Sequence, residues 1–333
     1  MQNRHRERTL DGVAVIPRVV LDVPAIRNSA FRESWLVDKK QTREWGFRKA
    51  EMAIIRMGWW RGNMSIQNGI NEGLTVDSLI QTALKEPPDD ESDKALWALR
   101  SCGTREVFET AKALISDGNV QERKLGVDIL SQLGTPARVF REESIEILLS
   151  LLETELASDV ICAIGWGLGH LEAKEGVEPM SKLSKDLRPE IRLAAVGGLL
   201  YQECELAVDT LIQLSTDEDD EVRSWATCGL GNAICLDNTR VREALFARLS
   251  DTHEETQQEA MYGLAKRKDD RIVVQLSKWL KDYPGFSSDL MAACDLGSPL
   301  LLPALNELEG HPDVDQDLLQ KAIFSSRDRP LNH

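Results

Sequence analysis

A segment of about 31 to 35 residues recurs along most of the chain, and this repeat constrains the fold more than any other feature. Its clearest copy, residues 220–232, begins with acidic residues and continues with apolar and small residues at helical spacing. This pattern is typical of the second helix of a helical hairpin. The copies can be aligned on one position near the end of that helix. The aligned positions are 31, 35, 31, 31, 34 and 32 residues apart and are Cys102, Leu133, Leu168, Leu199, Leu230, Leu264 and Leu296.

Repeats of this length, each holding two helices, stack on one another in an α-solenoid. We therefore predict an all-α, right-handed α-solenoid of about eight helical hairpins, with outer helices on its convex side and inner helices on its concave side. Alanine or isoleucine occupies the position four residues before the aligned one. Because positions i and i+4 share a helix face, both positions are predicted to point into the hairpin core. The residues at this second position are Ala98, Ile129, Ile164, Ala195, Ala226, Ala260 and Ala292.

Residues 1–63 differ from the rest of the chain in charge and in pattern. They hold 13 Lys and Arg against 7 Asp and Glu, whereas residues 64–333 hold 27 against 48. We expect a basic N-terminal segment, 1–63, and a solenoid domain, 64–333, whose repeats run from about 75 to 327. Two interpretations of the basic segment stay open. It is either a disordered arm that binds an acidic surface, the chain's own body among the candidates, or a stretch upstream of a true translation start at Met64.

The acidic charge of the predicted solenoid repels phosphate backbones and argues against nucleic acid as a partner. No apolar run is long enough to span a membrane, and no secretory signal is visible. The six cysteines are scattered, with no Cys-x-x-Cys pair, which suits a reducing compartment. We therefore expect a cytoplasmic protein without a membrane partner.

Three stretches of the repeats resemble those of a known family. They are Asp219-Asp-Glu-Val-Arg-Ser-Trp-Ala-Thr-Cys-Gly-Leu-Gly231, Arg188-Pro-Glu-Ile-Arg-Leu-Ala-Ala195 and Glu254-Glu-Thr-Gln-Gln-Glu-Ala260. They resemble the repeats of HEAT-repeat proteins, in particular the short HEAT-like repeats first described in phycobilisome lyases. The chain looks most like the stand-alone bacterial HEAT-repeat proteins. The resemblance covers residues 75–327 and implies a binding scaffold, although a few proteins of this family are enzymes.

The enzymes of this fold do not match the residues present. Deoxyhypusine hydroxylases bind two irons through several His-Glu pairs, and this chain has only His253-Glu254. HEAT-type alkylpurine glycosylases need a basic concave face, whereas this body is acidic. The acidic turn 217–221 lacks the ligand pattern of a calcium loop, and we interpret its carboxylates as helix-start groups. We predict no catalytic residue, no metal-binding residue and no cofactor.

Two rows of inner-helix residues form the candidate partner-binding site. One row lies two residues before the aligned position, faces away from the hairpin core and is flanked by further tryptophans. The other lies nine residues before it, in the first helical turn, where the helix dipole favours carboxylates in any case. The predicted site residues are Trp97, Trp166, Trp225, Tyr262, Asp159, Glu190, Glu221 and Glu255. Either the aromatic residues anchor a partner inside a polar rim, or adjacent repeats bury them.

These rows predict a non-catalytic protein-binding scaffold. Its concave face, aromatic at the centre and acidic at the rim, would bind a basic or amphipathic segment of another protein. Two alternatives stay open: a phycobilin-lyase-like protein that handles a tetrapyrrole, and an inhibitor or immunity-type protein that masks a basic partner. The sequence does not specify an oligomeric state.

Overall fold

Sixteen α-helices follow one another in the part of the chain that the structure describes, without a β-strand among them. The structure is a computed structural model that describes residues 75–85, 90–284 and 287–328. The predicted N-terminal segment, 1–63, lies outside the described residues. The helices are α1 (Val76–Ala83), α2 (Asp90–Cys102), α3 (Arg105–Asp117), α4 (Val120–Leu130), α5 (Arg141–Leu152), α6 (Ser158–His170), α7 (Val177–Leu183), α8 (Pro189–Leu199), α9 (Glu205–Leu214), α10 (Asp220–Cys228), α11 (Thr239–Arg248), α12 (Glu254–Lys266), α13 (Val273–Asp282), α14 (Ser287–Leu296), α15 (Leu302–Asn306) and α16 (Gln316–Asp328).

Consecutive helices pair into eight hairpins within the described residues, from α1 with α2 to α15 with α16. The second helix of each hairpin, here called the inner helix, packs on the inner helices before and after it. The first helices, called the outer helices, pack on one another less extensively. This arrangement is an α-solenoid, and it confirms the predicted fold class.

The inner helices of the middle repeats lie so close together that glycine is required where they touch. A Cβ atom on Gly165 of α6 would lie 2.2 Å from the carbonyl oxygen of Ala194 in α8. One on Gly169 would lie 2.1 Å from the carbonyl oxygen of Gly197. Both distances are shorter than any real contact of a Cβ atom. The small residues of the repeat therefore set the spacing of the inner helices.

Side-chain caps fix where several inner helices begin. Asn119 accepts hydrogen bonds from the backbone N–H groups of Gln121 and Glu122, and the Glu122 carboxylate accepts one from the backbone of Asn119. This reciprocal arrangement is a capping box. Asp219 likewise accepts from the N–H groups of Glu221 and Val222, both at 3.0 Å. The helix-start interpretation of the acidic turn 217–221 is thereby confirmed for Asp219.

Arginine–carboxylate pairs join consecutive repeats along one edge of the inner helices. Each arginine is the fourth residue of its helix, and its partner lies in the loop before the next inner helix. The pairs are Arg123 with Glu155, Arg192 with Asp217 and Arg223 with Asp251, at 2.7, 2.7 and 2.9 Å. The corresponding position in α6 is Ile161, which packs with Ile191 and Ala194 in an apolar cluster.

A buried arginine closes the carboxyl end of α10. The guanidinium of Arg267, only 8% exposed, donates hydrogen bonds to the carbonyl groups of Leu230, Gly231 and Leu236 at 2.8 to 3.0 Å. These carbonyls belong to the end of the preceding repeat, where helical hydrogen bonds run out. Arg267 thus satisfies the carbonyls at the junction of two repeats.

Candidate partner-binding face

Burial of the side chains defines the register of the inner helices. The aligned leucines from Leu168 onward are buried, as predicted. In α2, however, Leu99 is fully buried and Cys102 is half-buried, so Leu99 is the core position. In α4, Leu130 ends the helix, and the predicted position Leu133 is buried in the loop that follows. The predicted alignment of the first two repeats was wrong by three residues, because positions three apart lie on nearly the same helix face.

With this register, one row of residues runs across the exposed side of the inner helices. It lies two residues before the core leucine and is called the aromatic row: Trp97, Asp128, Trp166, Gly197, Cys228, Tyr262 and Cys294. Trp97, which the sequence placed beside this row, lies in it. Trp97, Trp166 and Tyr262 are half-buried, whereas Gly197 and Cys228 are buried. The row therefore presents partly accessible aromatic side chains from three separate repeats.

Trp166 bridges three inner helices at the centre of the row. Its indole leaves α6 and covers Gly197 in α8, where an added Cβ atom would lie 2.9 Å from the ring. Its far side meets Trp225 of α10, with ring centroids 4.8 Å apart and planes at 71°. Trp225 itself is only 2% exposed. The buried Trp225 therefore holds the Trp166 ring in place. Of the two side chains, Trp166 is the more accessible to solvent.

Tyr262 lies in a polar part of the face. Its hydroxyl donates a hydrogen bond to the carboxylate of Asp289 at 3.1 Å. Burial raises the pKa of Asp289 to about 6 and also raises the pKa of the Tyr262 hydroxyl. Three residues earlier on the same helix, Glu259 accepts a hydrogen bond from the Asn232 amide at 2.8 Å. Tyr262 is therefore flanked by two largely buried carboxyl groups.

Positive charge occupies the beginning of the row. The Arg100 guanidinium lies 5.6 Å from the ring centroid of Trp97, and its Nε donates to the backbone carbonyl of Asp128 at 2.9 Å. Burial, with the guanidinium groups of Arg100 and Arg138, lowers the pKa of His170 to about 4. His170 is thus neutral near pH 7. Because Arg100 lies over its ring, Trp97 is less suited than Trp166 to receive a cationic partner.

The predicted carboxylates occupy the first turns of four inner helices and are called the acidic row: Asp159, Glu190, Glu221 and Glu255. Asp159, Glu190 and Glu221 are exposed, and Glu255 is half-buried. The Ser158 hydroxyl donates to Glu190 at 3.2 Å across the gap between α6 and α8. Each carboxylate precedes the aromatic-row residue of its own helix by seven residues, or about two turns, so both rows lie on the same side of the inner helices.

Three exposed residues of this face were missed by the sequence analysis. Tyr201, just after α8, is 41% exposed, and Leu156 and Leu187 are 85% and 94% exposed. Each leucine lies in the turn directly before an inner helix. The repeat spacing could have revealed the pair, because Leu156 and Leu187 are 31 residues apart. Their exposure could not be read from the sequence, because leucine in a loop is often buried.

Two surface cavities are lined by no residue of either row. One, of about 260 Å³, is lined by residues of α1 and α3, among them Leu79 and Val107. The other, of about 450 Å³, lies between the loops that hold Asp217 and Asp251.

Among the described residues, no group of three or more His, Cys, Asp or Glu side chains is placed to hold a metal ion. Within the same residues, no helix has the length and apolar character needed to cross a membrane.

Comparison with known proteins supports the repeat assignment. A family model described as HEAT repeats matches residues 208–286. Protein YibA of Escherichia coli, strain K12, is 33% identical over 100 residues, which are 30% of this chain and 35% of that protein. The match therefore spans about a third of YibA. The X-ray structure of YibA has a TM-score of 0.56 and 22% identity, covering 77% of this chain and 94% of that one.

The similarity to the YibA structure shows the fold alone, and the family model places HEAT repeats in α9 to α13 and the loops between them. Together with the stacked hairpins, these findings confirm the resemblance drawn from the sequence. Residues 208–286 match HEAT repeats, and the described part of the chain is an α-solenoid of helical hairpins similar to them.

Proposed function

We propose that this protein is a non-catalytic scaffold whose inner-helix face binds a basic or amphipathic segment of another protein. The observation that carries the proposal is the parallel course of the aromatic and acidic rows over consecutive repeats. Half-buried aromatic side chains bordered by exposed carboxylates supply the two ingredients that protein-binding surfaces combine, a desolvated anchor and a polar rim.

The geometry of Trp166 supports its role as the central anchor. An anchor residue binds best when its own conformation is fixed before the partner arrives. Trp166 is held by Gly197 on one side and by Trp225 on the other. Only part of the indole remains accessible, and Trp166 shares a helix face with the exposed Asp159, seven residues before it.

Charge supports the basic character of the partner. Rim carboxylates attract a cationic segment and accelerate its association, and this effect weakens as salt screens the charges. We therefore expect binding that weakens steadily between low and physiological ionic strength. A partner held by apolar contacts alone would show little dependence on salt.

The test uses the full chain and a fluorescent 18-residue peptide of leucine and lysine placed to form an amphipathic helix. The variant Asp159→Asn with Glu190→Gln and Glu221→Gln removes three rim charges without changing side-chain size. We expect the peptide's affinity, measured by fluorescence anisotropy at low salt, to fall about tenfold, because each exposed pair contributes up to about 1 kcal/mol.

The matched control carries the same number of neutral substitutions on the outer helices: Glu142→Gln, Glu146→Gln and Glu205→Gln. It should bind the peptide almost as tightly as the unchanged protein. Equal losses in the two variants would mean that net charge, and not this face, attracts the peptide. A peptide with glutamate in place of lysine should not bind, and the proposal fails if it binds equally well.

A further inference from the structure

The exposed leucines Leu156 and Leu187 form an apolar edge in front of two neighbouring inner helices. They precede α6 and α8, and the same position in the following two repeats is occupied by Glu218 and Thr252. The helix starts behind them are in contact, since the Arg188 guanidinium donates to the Ser158 hydroxyl at 3.4 Å. We call this pair the leucine edge. At 85% and 94% exposure, its side chains are almost fully in water.

The turns that carry the leucine edge are held in place. The Glu155 carboxylate accepts hydrogen bonds from the backbone N–H groups of Leu156 and Ala157, both at 2.9 Å. The Arg192 guanidinium donates to the carbonyl oxygen of Leu187 at 3.1 Å. The leucines are therefore presented to solvent by ordered backbone. An ordered apolar side chain costs little additional entropy when a partner covers it.

The leucine edge continues onto the rest of the inner-helix face. Along α6, Asp159, Ala163 and Trp166 follow one another at spacings of four and three residues, the spacing of one helix face, and Leu156 lies in the turn two residues before the helix. At α8, Leu187 and Glu190 hold the corresponding positions, Leu187 in the turn before the helix and Glu190 in its first turn. With 1.5 Å per residue, α6 rises about 12 Å from Ser158 to Trp166, and the turn before it adds a few ångströms, so Leu156 and Trp166 lie roughly 15 Å apart. Apolar groups thus stand at both ends of a stripe with carboxylates between them.

We infer that the partner is a basic amphipathic helix that lies along α6 and α8, across the solenoid, with one end on the leucine edge and the other on Trp166. This inference rests on the proposed function and specifies its partner. A stripe of about 15 Å matches about ten residues of a helix. Apolar residues near the two ends of that helix would cover Leu156, Leu187 and Trp166. Lysine or arginine between them would face Asp159 and Glu190.

Arg192, beside the leucine edge, is largely buried and pairs with Asp217, whereas Arg188 is exposed. Its side chain pairs with the Asp186 carboxylate at 3.1 Å, so its charge is balanced within its own turn. The acidic residues Asp159 and Glu190 therefore dominate the charge between the two apolar ends. A helix with lysines in its middle fits this distribution, and a second copy of this acidic chain fits it less well.

The experiment compares the variant Leu156→Ser with Leu187→Ser against the unchanged full chain, using the 18-residue leucine–lysine peptide as the probe. We expect at least a tenfold loss of affinity, since two leucines lose their contact with the peptide. Circular dichroism and the urea midpoint should stay unchanged, because both side chains are almost fully exposed. The control variant, Leu206→Ser with Val274→Ser, alters exposed apolar residues of the outer helices and should bind normally.

A second peptide with two central prolines tests whether the partner must be helical, because proline breaks a helix and keeps the charge. It should bind at least tenfold more weakly than the helical peptide. Equal affinity of the two peptides overturns the inference, as does full affinity of the leucine-edge variant. The leucine-edge variant could bind fully while the variant Asp159→Asn with Glu190→Gln and Glu221→Gln still loses affinity. In that case only the leucine edge is refuted, and the proposed function stands. A dimer by light scattering that the leucine substitutions convert to a monomer would assign the edge to a second copy.

Discussion

Asp289 shows how much the surroundings of a single residue can change its chemistry. Its side chain lies at the start of α14, 4% exposed, and accepts a hydrogen bond from the Tyr262 hydroxyl. Loss of water raises the pKa of its carboxyl to about 6, although the hydrogen bond acts in the opposite direction. In the unfolded chain the pKa of aspartate is near 3.9. The folded protein therefore binds this proton more tightly than the unfolded chain.

The consequence is a defined dependence of stability on pH. Because the folded pKa is raised, the stabilising contribution of this group is fully present below pH 4 and is lost as pH rises through 6. A shift of two pKa units corresponds to about 3 kcal/mol. We expect Asp289→Asn, which stays neutral, to remove this part of the pH dependence and to be more stable than the unchanged protein at pH 7. Urea unfolding at pH 4.5 and pH 7 measures both proteins, and parallel pH profiles would contradict the prediction.

The helix pair α6 and α8 shows how the repeat pattern acts at the level of elements. Gly165 and Gly169 let the backbone of α8 approach α6 almost to atomic contact, and Gly197 makes room for the Trp166 ring. Glycine lowers the intrinsic stability of a helix by about 1 kcal/mol relative to alanine. The close packing of the two helices offsets this cost. The same packing brings together the starts of α6 and α8, where the leucine edge and two residues of the acidic row lie.

Substituting one of these glycines should therefore destabilise the fold despite a gain in helix propensity. In Gly165→Ala the new methyl group would meet the backbone oxygen of Ala194, which cannot rotate away, so the two helices must separate. Overpacking of this kind typically costs 1–3 kcal/mol. We expect a net loss of about 2 kcal/mol in the free energy of unfolding, measured by urea denaturation.

The comparison variant is Gly176→Ala, where the nearest atom is the end of the Leu168 side chain at 3.2 Å. That side chain can shift, so we expect a change below about 1 kcal/mol. A Gly165→Ala protein as stable as Gly176→Ala would show that the helix contact is looser than described.

At the scale of the whole molecule, stability depends on how consecutive repeats are coupled. In a solenoid each repeat contacts only its neighbours, so contacts between repeats decide whether the molecule unfolds as one unit. The arginine–carboxylate pairs are such contacts. Arg223 binds Asp251, whose side chain is only 4% exposed, and also donates to the carbonyl oxygen of Asp217. It therefore links the hairpin of α9 and α10 to the hairpin of α11 and α12.

Removing Arg223 should weaken this coupling. In Arg223→Met the buried Asp251 carboxylate loses its main partner, which typically costs 3–5 kcal/mol. We expect a lower thermal midpoint and a broader or divided transition by calorimetry, because the repeats on either side then unfold less cooperatively. Arg240→Met, which removes an exposed pair with Asp209, should change stability by less than about 1 kcal/mol. Restoration of part of the loss by adding Asp251→Asn would confirm the cause, and a single unshifted transition would refute it.

The sequence by itself determined the fold class, the repeat length and most of the inner-helix register. Hydrophobic periodicity and small residues are local signals, and hairpins with such signals can bury their apolar faces only by stacking. It also placed the acidic row correctly on first helical turns. The sequence could not show that the core positions of the first two repeats are Leu99 and Leu130, three residues before the predicted Cys102 and Leu133. Residues three apart on a helix have nearly the same periodicity.

Only the tertiary structure decided which aromatic residues are accessible. Trp166 lies two residues before its core leucine and is half-buried, whereas Trp225 lies five residues before its own and is 2% exposed. Trp225 holds a position that neighbouring repeats also bury, at Ala163 and Ala194, and the Trp166 ring packs against it over Gly197, which has no side chain. The exposure of Leu156 and Leu187 likewise depends on turns held by Glu155 and Arg192. Such outcomes depend on contacts between repeats, and no local pattern within one repeat encodes them.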